Sequence, residues 1–492
     1  MKKIYSLIIS ILCTALCFAQ NFPFPQNLPY TAGTIKPNHK TTQQLNAAVT
    51  TYYDAWKTKY IKNCSGKYYV DFTDEDPAQI TTSESHGYGM MIMALIAGYD
   101  ANAKTIFDGM VSYWQAHQSS ITPNIMSWQQ GSCSDATGND DGATDGDLDV
   151  AYAFLLADAQ WGSSGTINYL QKAKDVMNAL LASEIHSSSY HTLLGDWASS
   201  AADLKLSRTS DFILDHFKAF QVASSNSKWT SVYEKTQSMI TTLQGYNPTT
   251  GLLPDFVQNA TTTPTIPTGK VLESTKDGWY SYNACRDPWR LGTDYLLYGD
   301  ARSKTSTNKI INWLKGKSTV PANFVCETQC NGSGSAGGGE MCFIAPYMVG
   351  MMVDQAHQTV LNSTYDWVIG QSINSFTYFH NTIKMLCLLT VSGNYWYPDF
   401  ATGINENIAN NNIFEATIGQ NENTATIFLN ASKNTNANIM IYDQVGKLIL
   451  SEKYSISNGY NTIPFSTLNF ANGIYIVSIS NDSEQKTIKF IK

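Results

Sequence analysis

Residues 82–90, TSESHGYGM, contain one carboxylate, Glu84, between two serines. The apolar run 91–97 follows at once and predicts a buried helix, which is too short to cross a membrane. Ser83 or Ser85 is expected to cap it. Glu84 would then lie where loss of water raises the pKa of a carboxyl group and suits it to donate a proton. The simpler alternative is a carboxylate that only stabilises the helix dipole.

The first 19 residues predict a secretory signal peptide. Lys2 and Lys3 precede a mostly apolar segment, and residues 17–19 resemble a cleavage site, so cleavage near Ala19 is expected. No later run is long and apolar enough to span a membrane. Loss of the two lysines takes the net charge from −8 to −10, and an acidic protein is a poor nucleic-acid binder. We expect an exported, soluble, monomeric bacterial protein, secreted or held at the cell surface.

The remaining chain is long enough for two domains. From about residue 41 to 398, apolar spacing predicts about a dozen helices, with the clearest runs near 147–160, 165–184, 211–223, 228–244, 288–299, 305–316, 343–357 and 374–391. In antiparallel pairs they would close into a toroid, with long loops building a cleft at one rim. From about residue 414, alternating apolar residues predict a small β-sandwich. The expected divisions are 1–19 (signal peptide), 20–400 (helical domain), 401–413 (linker) and 414–492 (β-sandwich).

Seven cysteines follow the signal peptide, so at least one is unpaired or pairs between chains. Cys326, Cys330 and Cys342 lie in or beside a loop rich in Gly and Ser, with no histidine next to them. In an exported protein this pattern favours a disulfide over a zinc site.

Three further stretches carry candidate functional residues. Residues 143–149, ATDGDLD, place three carboxylates on alternate positions before an apolar helix. With Asp140 and Asp141 they could form a calcium loop, but the terminal Glu of an EF-hand is missing. Residues 280–290 contain Arg286, which can grip a carboxylate, and Pro288, which suits a first helical turn. Glu273 ends a long loop and would alone be an ordinary surface residue.

The sequence lacks the motifs of several reaction classes. There is no Gly-x-Ser-x-Gly elbow, Gly-rich phosphate loop, His-Glu-x-x-His or paired Cys-x-x-Cys. What remains is acid/base chemistry by carboxylates in a chain with 11 Trp, 28 Tyr and 20 Phe, whose rings can stack on sugars. This combination indicates glycoside hydrolysis without a cofactor or metal.

Three blocks in order resemble glycoside hydrolase family 8. Residues 143–161 resemble its signature, residues 83–90 are similar to its Ser-Glu-Gly/Ser-x-x-Tyr-Gly-Met stretch, and residues 283–290 resemble a third block. The resemblance implies an all-α (α/α)6 barrel and an inverting endo-hydrolase of β-1,4-linked polysaccharides such as cellulose, mixed-linkage β-glucan, xylan or chitosan. It implies that Glu84 is the general acid and that Asp145 contacts the sugar at the cleavage point.

One position departs from the common family pattern. Many members carry an Asp base where this chain has Asn283, and an amide cannot take a proton from water. A second branch, of chitosanases and lichenan- and cellulose-cleaving enzymes, uses a Glu in the preceding loop. Glu273 fits that branch, with Asp277 as the fallback. An inverting pair would hold its carboxyls ~6.5–9.5 Å apart.

The expected substrate site is aromatic and polar, with the members Tyr88, Trp128, Trp279, Tyr282, Asn283, Arg286 and Trp289. For the tryptophans and Tyr282, packing and stacking on sugar are both open. The substrate is expected to be chitosan or a β-glucan. A chitosan ammonium could face Asp140, Asp141, Asp147 or Asp149, which could equally be structural.

The C-terminal segment resembles the type IX secretion sorting domains of Bacteroidetes-type bacteria, on residues 440–443, 446–447, 473–475 and the Lys-rich end. This implies the type IX machinery as a partner. A carbohydrate-binding module is the alternative, but the segment has no Trp. For the helical domain, two other functions stay open, a non-catalytic glycan-binding protein, favoured by Asn283, and a polysaccharide lyase.

Overall fold

The computed structural model describes residues 20–134, 140–334, 336–398 and 414–492, the last range with gaps at 422–423, 432, 444–445, 458, 472 and 482–484. The predicted signal peptide and linker lie outside these residues. The chain divides into two compact units, residues 1–400 and 401–492.

The described part of the first unit contains twelve α-helices, which are α1 (Thr42–Tyr60), α2 (Ser83–Ile96), α3 (Ala103–Ala116), α4 (Thr144–Trp161), α5 (Tyr169–Ser183), α6 (Leu214–Ser224), α7 (Lys228–Tyr246), α8 (Asp287–Tyr298), α9 (Ala301–Lys317), α10 (Met341–Gly350), α11 (Gln358–Gly370) and α12 (Tyr378–Ser392). The even-numbered helices pack on one another in order, and α12 packs on α2, so they form a closed inner ring. The odd-numbered helices pack outside it. This is the predicted (α/α)6 barrel.

Burial explains the two rings. In α2, every residue except Glu84 is buried, and α10 is buried throughout. A helix that is apolar all round belongs in a core, whereas an outer helix such as α5 buries one stripe and leaves the other face polar. The inner helices therefore supply the core, and their ends are free to build a site.

The start of α2 differs from expectation in one detail. Its N-cap is Thr82, whose hydroxyl accepts the Ser85 amide at 3.1 Å, while the Ser85 hydroxyl accepts the Thr82 amide at 2.9 Å. This reciprocal capping box satisfies two helix-end donors and leaves the Glu84 carboxyl free for other partners.

Short strands fix the loops of the first unit. They are β1 (Ile61–Cys64), β2 (Lys67–Val70), β3 (Thr81–Thr82), β4 (Gln129–Gln130), β5 (Ser207–Arg208), β6 (Phe256–Val257), β7 (Trp279–Tyr280), β8 (Val325–Gln329) and β9 (Ala336–Gly337). They pair antiparallel as β1–β2, β3–β4, β5–β6 and β7–β8–β9. The pairs β3–β4, β5–β6 and β7–β8 hold the long loops against the starts of the inner helices.

The second unit is built from strands alone in its described residues, namely β10 (Phe414–Asn421), β11 (Thr424–Ala431), β12 (Thr435–Asp443), β13 (Leu448–Ile456), β14 (Gly459–Ser466), β15 (Ile474–Ser480) and β16 (Gln485–Ile491). They form two antiparallel sheets, β10–β11–β14 and β13–β12–β15–β16. Side chains of both sheets, such as Ile427 and Ile439, share one core. The predicted β-sandwich is therefore present, with burial alternating along β12.

The cysteine prediction was wrong. The disulfide joins Cys64 to Cys133, whereas Cys326, Cys330 and Cys342 are buried thiols. The bridge ties the β1–β2 hairpin to the loop after β4, which sequence spacing could not indicate. In the part of the chain that the structure describes, no helix has the length and hydropathy needed to span a membrane.

Candidate active site

Glu84 and Asp145 are brought together by the close approach of α2 and α4. A Cβ atom added to Gly146 would lie 2.5 Å from the Ser83 Oγ and 2.7 Å from the Glu84 backbone nitrogen. Only glycine allows this approach, because any larger residue would push the two helix ends apart. The glycine that follows Asp145 thus lets Asp145 lie close to Glu84.

Glu84 keeps limited access to solvent, with its side chain 17% exposed. Its Oε2 accepts a hydrogen bond from Arg286 Nη1 at 2.5 Å, and its Oε1 accepts one from the Tyr378 hydroxyl at 3.2 Å. Burial raises the pKa of Glu84 above its ordinary value, and the opposing effect of Arg286 does not cancel it. The carboxyl is therefore suited to hold a proton and to give it up.

Asp145 is held as a carboxylate by two arginines. Its Oδ1 accepts from Arg208 Nη2 at 2.9 Å and its Oδ2 from Arg286 Nη1 at 3.2 Å. Burial alone would raise the pKa of Asp145, but the two guanidinium groups outweigh burial and keep the pKa below its ordinary value. The site thus contains one carboxyl whose pKa is raised and one whose pKa is lowered.

Arg286 links these groups to the loop before α8. Besides Glu84 and Asp145, its Nη1 donates to the Tyr88 hydroxyl at 3.2 Å, and its Nη2 donates to Asn283 Oδ1 at 3.0 Å. Arg286 is only 2% exposed. It orients the surrounding side chains from a buried position.

Asn283 connects this cluster to Glu273. Its Nδ2 donates a hydrogen bond to Glu273 Oε2 at 3.0 Å, while its Oδ1 accepts one from Arg286 Nη2. Glu273 itself is exposed to solvent. The amide therefore bridges the guanidinium that holds Glu84 and a solvent-facing carboxylate.

Asp277 does not fit its predicted fallback role. Its carboxylate accepts four backbone N–H groups, those of residues 271–274, at 2.7–3.1 Å, and its side chain is buried. These bonds shape the loop that carries Glu273 and use the lone pairs that a base would need. Asp277 is thus a structural residue.

Four residues of the cluster carry no signal in the sequence, namely Arg208, Asp211, Asp255 and Tyr378. Asp255 Oδ1 accepts the backbone N–H groups of Ser281, Asn283 and Ala284 at 3.1, 3.0 and 2.7 Å. It fixes the segment that places Asn283. These residues are far apart in the sequence or belong to no motif, so only the closed ring reveals that they meet.

The predicted aromatic residues fall into two groups. Trp289 and Tyr88 are 1% and 0% exposed and belong to the core. Neither can offer a ring face to a sugar, and this corrects their predicted place in the substrate site. Trp128 and Trp279 are half-buried, and Tyr282 is 42% exposed. The Trp128 carbonyl accepts the Ser83 amide at 3.0 Å, beside the start of α2.

The other two carboxylates of residues 143–149 accept hydrogen bonds from groups inside the barrel. Asp147 Oδ1 accepts the Met126 amide at 2.8 Å, and Asp149 accepts from Arg290 at 2.7 and 3.1 Å. Both are fully buried, so neither can face a substrate ammonium. Across the described ranges, no three His, Cys, Asp or Glu side chains are arranged to hold a metal ion.

The helical unit matches the model of glycosyl hydrolases family 8 over residues 39–393. The chain belongs to this family. It is 42% identical over 381 residues to a beta-glucanase of Niallia circulans, covering 77% of this chain and 92% of that one. It is 36% identical over 387 residues to an endoglucanase of Bacillus sp. (strain KSM-330), covering 76% and 82%.

A solved structure agrees with this assignment to family 8. The apo beta-1,3-1,4-glucanase from Paenibacillus sp. X4 superposes with a TM-score of 0.74 at 43% identity, covering 77% of this chain and all of the other. At the C-terminus, residues 421–492 match the secretion system C-terminal sorting domain. The family 8 hydrolase thus carries a type IX sorting domain, which indicates secretion or display at the cell surface.

Proposed function

We propose that this family 8 hydrolase is an inverting endo-β-glucanase in which Glu84 is the general acid and Glu273 the general base. The observation that carries the proposal is the hydrogen bond of 3.0 Å from Asn283 Nδ2 to Glu273 Oε2. It ties a solvent-facing carboxylate to the same arginine that holds Glu84. The absence of an Asp at position 283 therefore does not favour a non-catalytic binding protein.

The chemistry divides between the two carboxyls. Protonated Glu84 gives its proton to the glycosidic oxygen as the bond from that oxygen to C1 breaks. Glu273 takes a proton from a water molecule as the water oxygen bonds to C1 from the opposite face. Ionised Asp145 stabilises the positive charge that develops on the sugar ring. Each turnover ends with Glu84 ionised and Glu273 protonated, and exchange with solvent resets both.

Mixed-linkage β-glucan is the substrate that we propose. The relatives at 36–43% identity are described as a beta-glucanase, an endoglucanase and a beta-1,3-1,4-glucanase. Two of the four carboxylates that could have attracted chitosan, Asp147 and Asp149, are fully buried and bonded within the barrel. The half-buried and exposed rings Trp128, Trp279 and Tyr282 offer candidate stacking surfaces for neutral sugars.

A reducing-sugar assay across lichenan, carboxymethylcellulose, xylan and chitosan tests the proposal. We expect the fastest release from lichenan and none from chitosan. Binding without new reducing ends would support the glycan-binding alternative, and an unsaturated product would support a lyase. Preferred cleavage of chitosan or xylan would overturn the proposed substrate.

Two isosteric variants test the residue assignments. Glu84→Gln and Glu273→Gln should each lower kcat on lichenan by at least about 100-fold, because each removes one proton transfer. Azide should restore turnover of Glu273→Gln, giving the inverted product. Glu340→Gln is the matched control, since Glu340 is a partly exposed acid that contacts His380 and not the cluster. Near-normal activity of either test variant would show that its residue is misassigned.

A further inference from the structure

Arg208 lies at the end of β5, where it pairs with Phe256 of β6. It is 9% exposed and contacts two carboxylates. Resting on the proposed function, we propose that Arg208 is a positioning residue, which fixes the orientation and charge of Asp145 below the bound sugar. None of the motifs in the sequence includes it.

The guanidinium of Arg208 lies between two carboxylates and donates a hydrogen bond to each. Arg208 Nη2 donates to Asp145 Oδ1 at 2.9 Å, and its Nε donates to Asp211 Oδ1 at 3.1 Å. A planar guanidinium that contacts two carboxylates cannot rotate without losing one of them. Asp145 Oδ1 also accepts the Gly146 amide at 3.0 Å, and Oδ2 accepts Arg286. Each oxygen of Asp145 thus has a donor, which favours the ionised form of the carboxyl.

The backbone around Arg208 is fixed by a residue that also fixes the Asn283 segment. The Thr209 amide donates to the Asp255 carbonyl at 3.1 Å, and the Asp255 carboxylate holds the amides of Ser281, Asn283 and Ala284. The guanidinium of Arg208 therefore keeps a defined place relative to Asn283 and to the Glu273 that Asn283 holds. A lysine at position 208 would keep the charge but lose this two-pronged fit.

The balance of charges around Asp145 also supports a positioning role for Arg208. Glu84, Arg286, Asp145, Arg208 and Asp211 form an alternating row of acids and arginines. Without Arg208, Arg286 would be the arginine left to hydrogen-bond Asp145, and Arg286 also serves Glu84. The other titratable or charged groups that face Asp145 are Arg290, Glu84, Asp147, Glu184 and Asp211, and Glu273 faces Arg208. Because most of these are acids, loss of Arg208 would raise the pKa of Asp145 and of Glu84 together.

The test compares Arg208→Met, which removes the charge, with Arg208→Lys, which keeps the charge and removes the two-pronged fit. On lichenan, Arg208→Met should lose at least about 100-fold in kcat with a smaller change in KM. The alkaline limb of its pH profile should move to higher pH, since Glu84 loses a nearby cation that favours its ionised form. Arg208→Lys should keep the pH optimum of the wild type and lose kcat. Arg302→Met, at an exposed arginine on α9, is the matched control and should behave as wild type.

Two results would overturn the proposal. One is a pH profile of Arg208→Met that superimposes on that of the wild type. The other is equal losses in Arg208→Met and Arg208→Lys without any shift, which would mean that the side chain is only structural. If circular dichroism shows that Arg208→Met is unfolded, Arg208→Gln replaces it as the neutral variant.

A readout without substrate separates this proposal from the proposed function. An acid whose pKa is lowered by folding stabilises the fold above its ordinary pKa, and loses that effect as pH falls. The difference in Tm between wild type and Arg208→Met should therefore be larger at about pH 7 than at about pH 2, which lies below the ordinary pKa of an aspartate. Equal differences would refute the role of Arg208, whereas an inactive wild type with the expected Tm pattern would refute only the proposed function.

Discussion

Glu84 is held by two donors that both favour its ionised form, yet burial has the larger effect. Arg286 and the Tyr378 hydroxyl contact its two oxygens, and the pKa of Glu84 is still raised by desolvation. The balance explains why a salt-bridged carboxylate can serve as an acid. Weakening either donor should raise the pKa further and extend activity to higher pH.

Tyr378→Phe isolates one of these donors. Without its hydroxyl, Glu84 keeps its proton to higher pH, so the alkaline limb of the kcat profile should move upward. Loss of one hydrogen bond that orients the acid should also lower kcat about fivefold. Tyr246→Phe is the control, because the Tyr246 hydroxyl bonds only the Pro264 carbonyl. An alkaline limb that stays in place would contradict the role of Tyr378.

Asp147 and Glu184 form a second pair of acids, and both are fully buried. Asp147 Oδ2 and both Glu184 oxygens have no hydrogen-bond partner among the described residues. A Cβ on Gly142 would lie 2.7 Å from Glu184 Oε1 and 3.4 Å from Asp147 Oδ2, so the two groups border one small space. Burial raises the pKa of each, and Asp196 adds to the effect.

This pair predicts a fall in stability as pH rises. Because the folded state keeps protons that the unfolded state loses above the ordinary pKa, Tm should drop between about pH 5 and about pH 8. Glu184→Gln cannot ionise, so its Tm should drop less over the same range, whereas Glu234→Gln on the surface should follow the wild type. An equal drop in Glu184→Gln would contradict this account.

At the residue scale, site residues that lie in contiguous motifs could be found from the sequence, whereas isolated site residues could not. Glu84, Asp145, Arg286 and Asn283 lie in recognisable blocks, and the structure brings them together. Arg208, Asp255 and Tyr378 belong to no motif. In the sequence Arg208 and Asp211 look like an ordinary ion pair, and only closure of the ring places them beside Asp145.

At the scale of elements, the contact of α2 with α4 sets the geometry of the cluster. Gly87 of α2 and Gly146 of α4 lie at this contact, where an added Cβ would meet Asp149 at 2.7 Å and Ser83 at 2.5 Å, respectively. Two of the nearest atoms at Gly146 belong to the backbone of residues 83 and 84. They cannot move without moving the helix start that carries Glu84.

Gly146→Ala should therefore separate the two helix starts. We expect a loss of about 1–3 kcal/mol in the free energy of unfolding, with a fall in kcat as Glu84 and Asp145 move apart. Gly245→Ala, in α7 with nothing near its Cβ position, is the control and should gain up to about 1 kcal/mol. Urea unfolding and kcat are measured for both variants. Equal stability and equal kcat in Gly146→Ala and Gly245→Ala would contradict the role of the contact.

Most helices were predictable from apolar spacing, and the error at the end of α10 has a physical cause. The predicted run 343–357 extends beyond α10, which ends at Gly350 before a short 3-10 turn, and α11 at Gln358–Gly370 was not singled out. The residues of α10 are buried on all sides, so their pattern has no period that could mark an end.

At the scale of the whole molecule, the ring aligns the starts of its inner helices at one rim. Glu84, Asp145 and Tyr378 lie in the first turns of α2, α4 and α12, and Arg286 directly precedes α8. The positive ends of these helix dipoles favour the ionised form of carboxylates such as Asp145. The sequence predicted a toroid, but which helices line it depends on burial that only the closed ring defines.

In the proposed mechanism, Glu84 and Glu273 act as acid and base and invert the configuration at the anomeric carbon. Proton NMR of the first product released from lichenan by the wild-type enzyme distinguishes inversion from retention. The α-anomer should appear first and then equilibrate with the β-anomer, because water attacks from the face opposite the leaving group. A product that appears first as the β-anomer would show retention and rule this mechanism out.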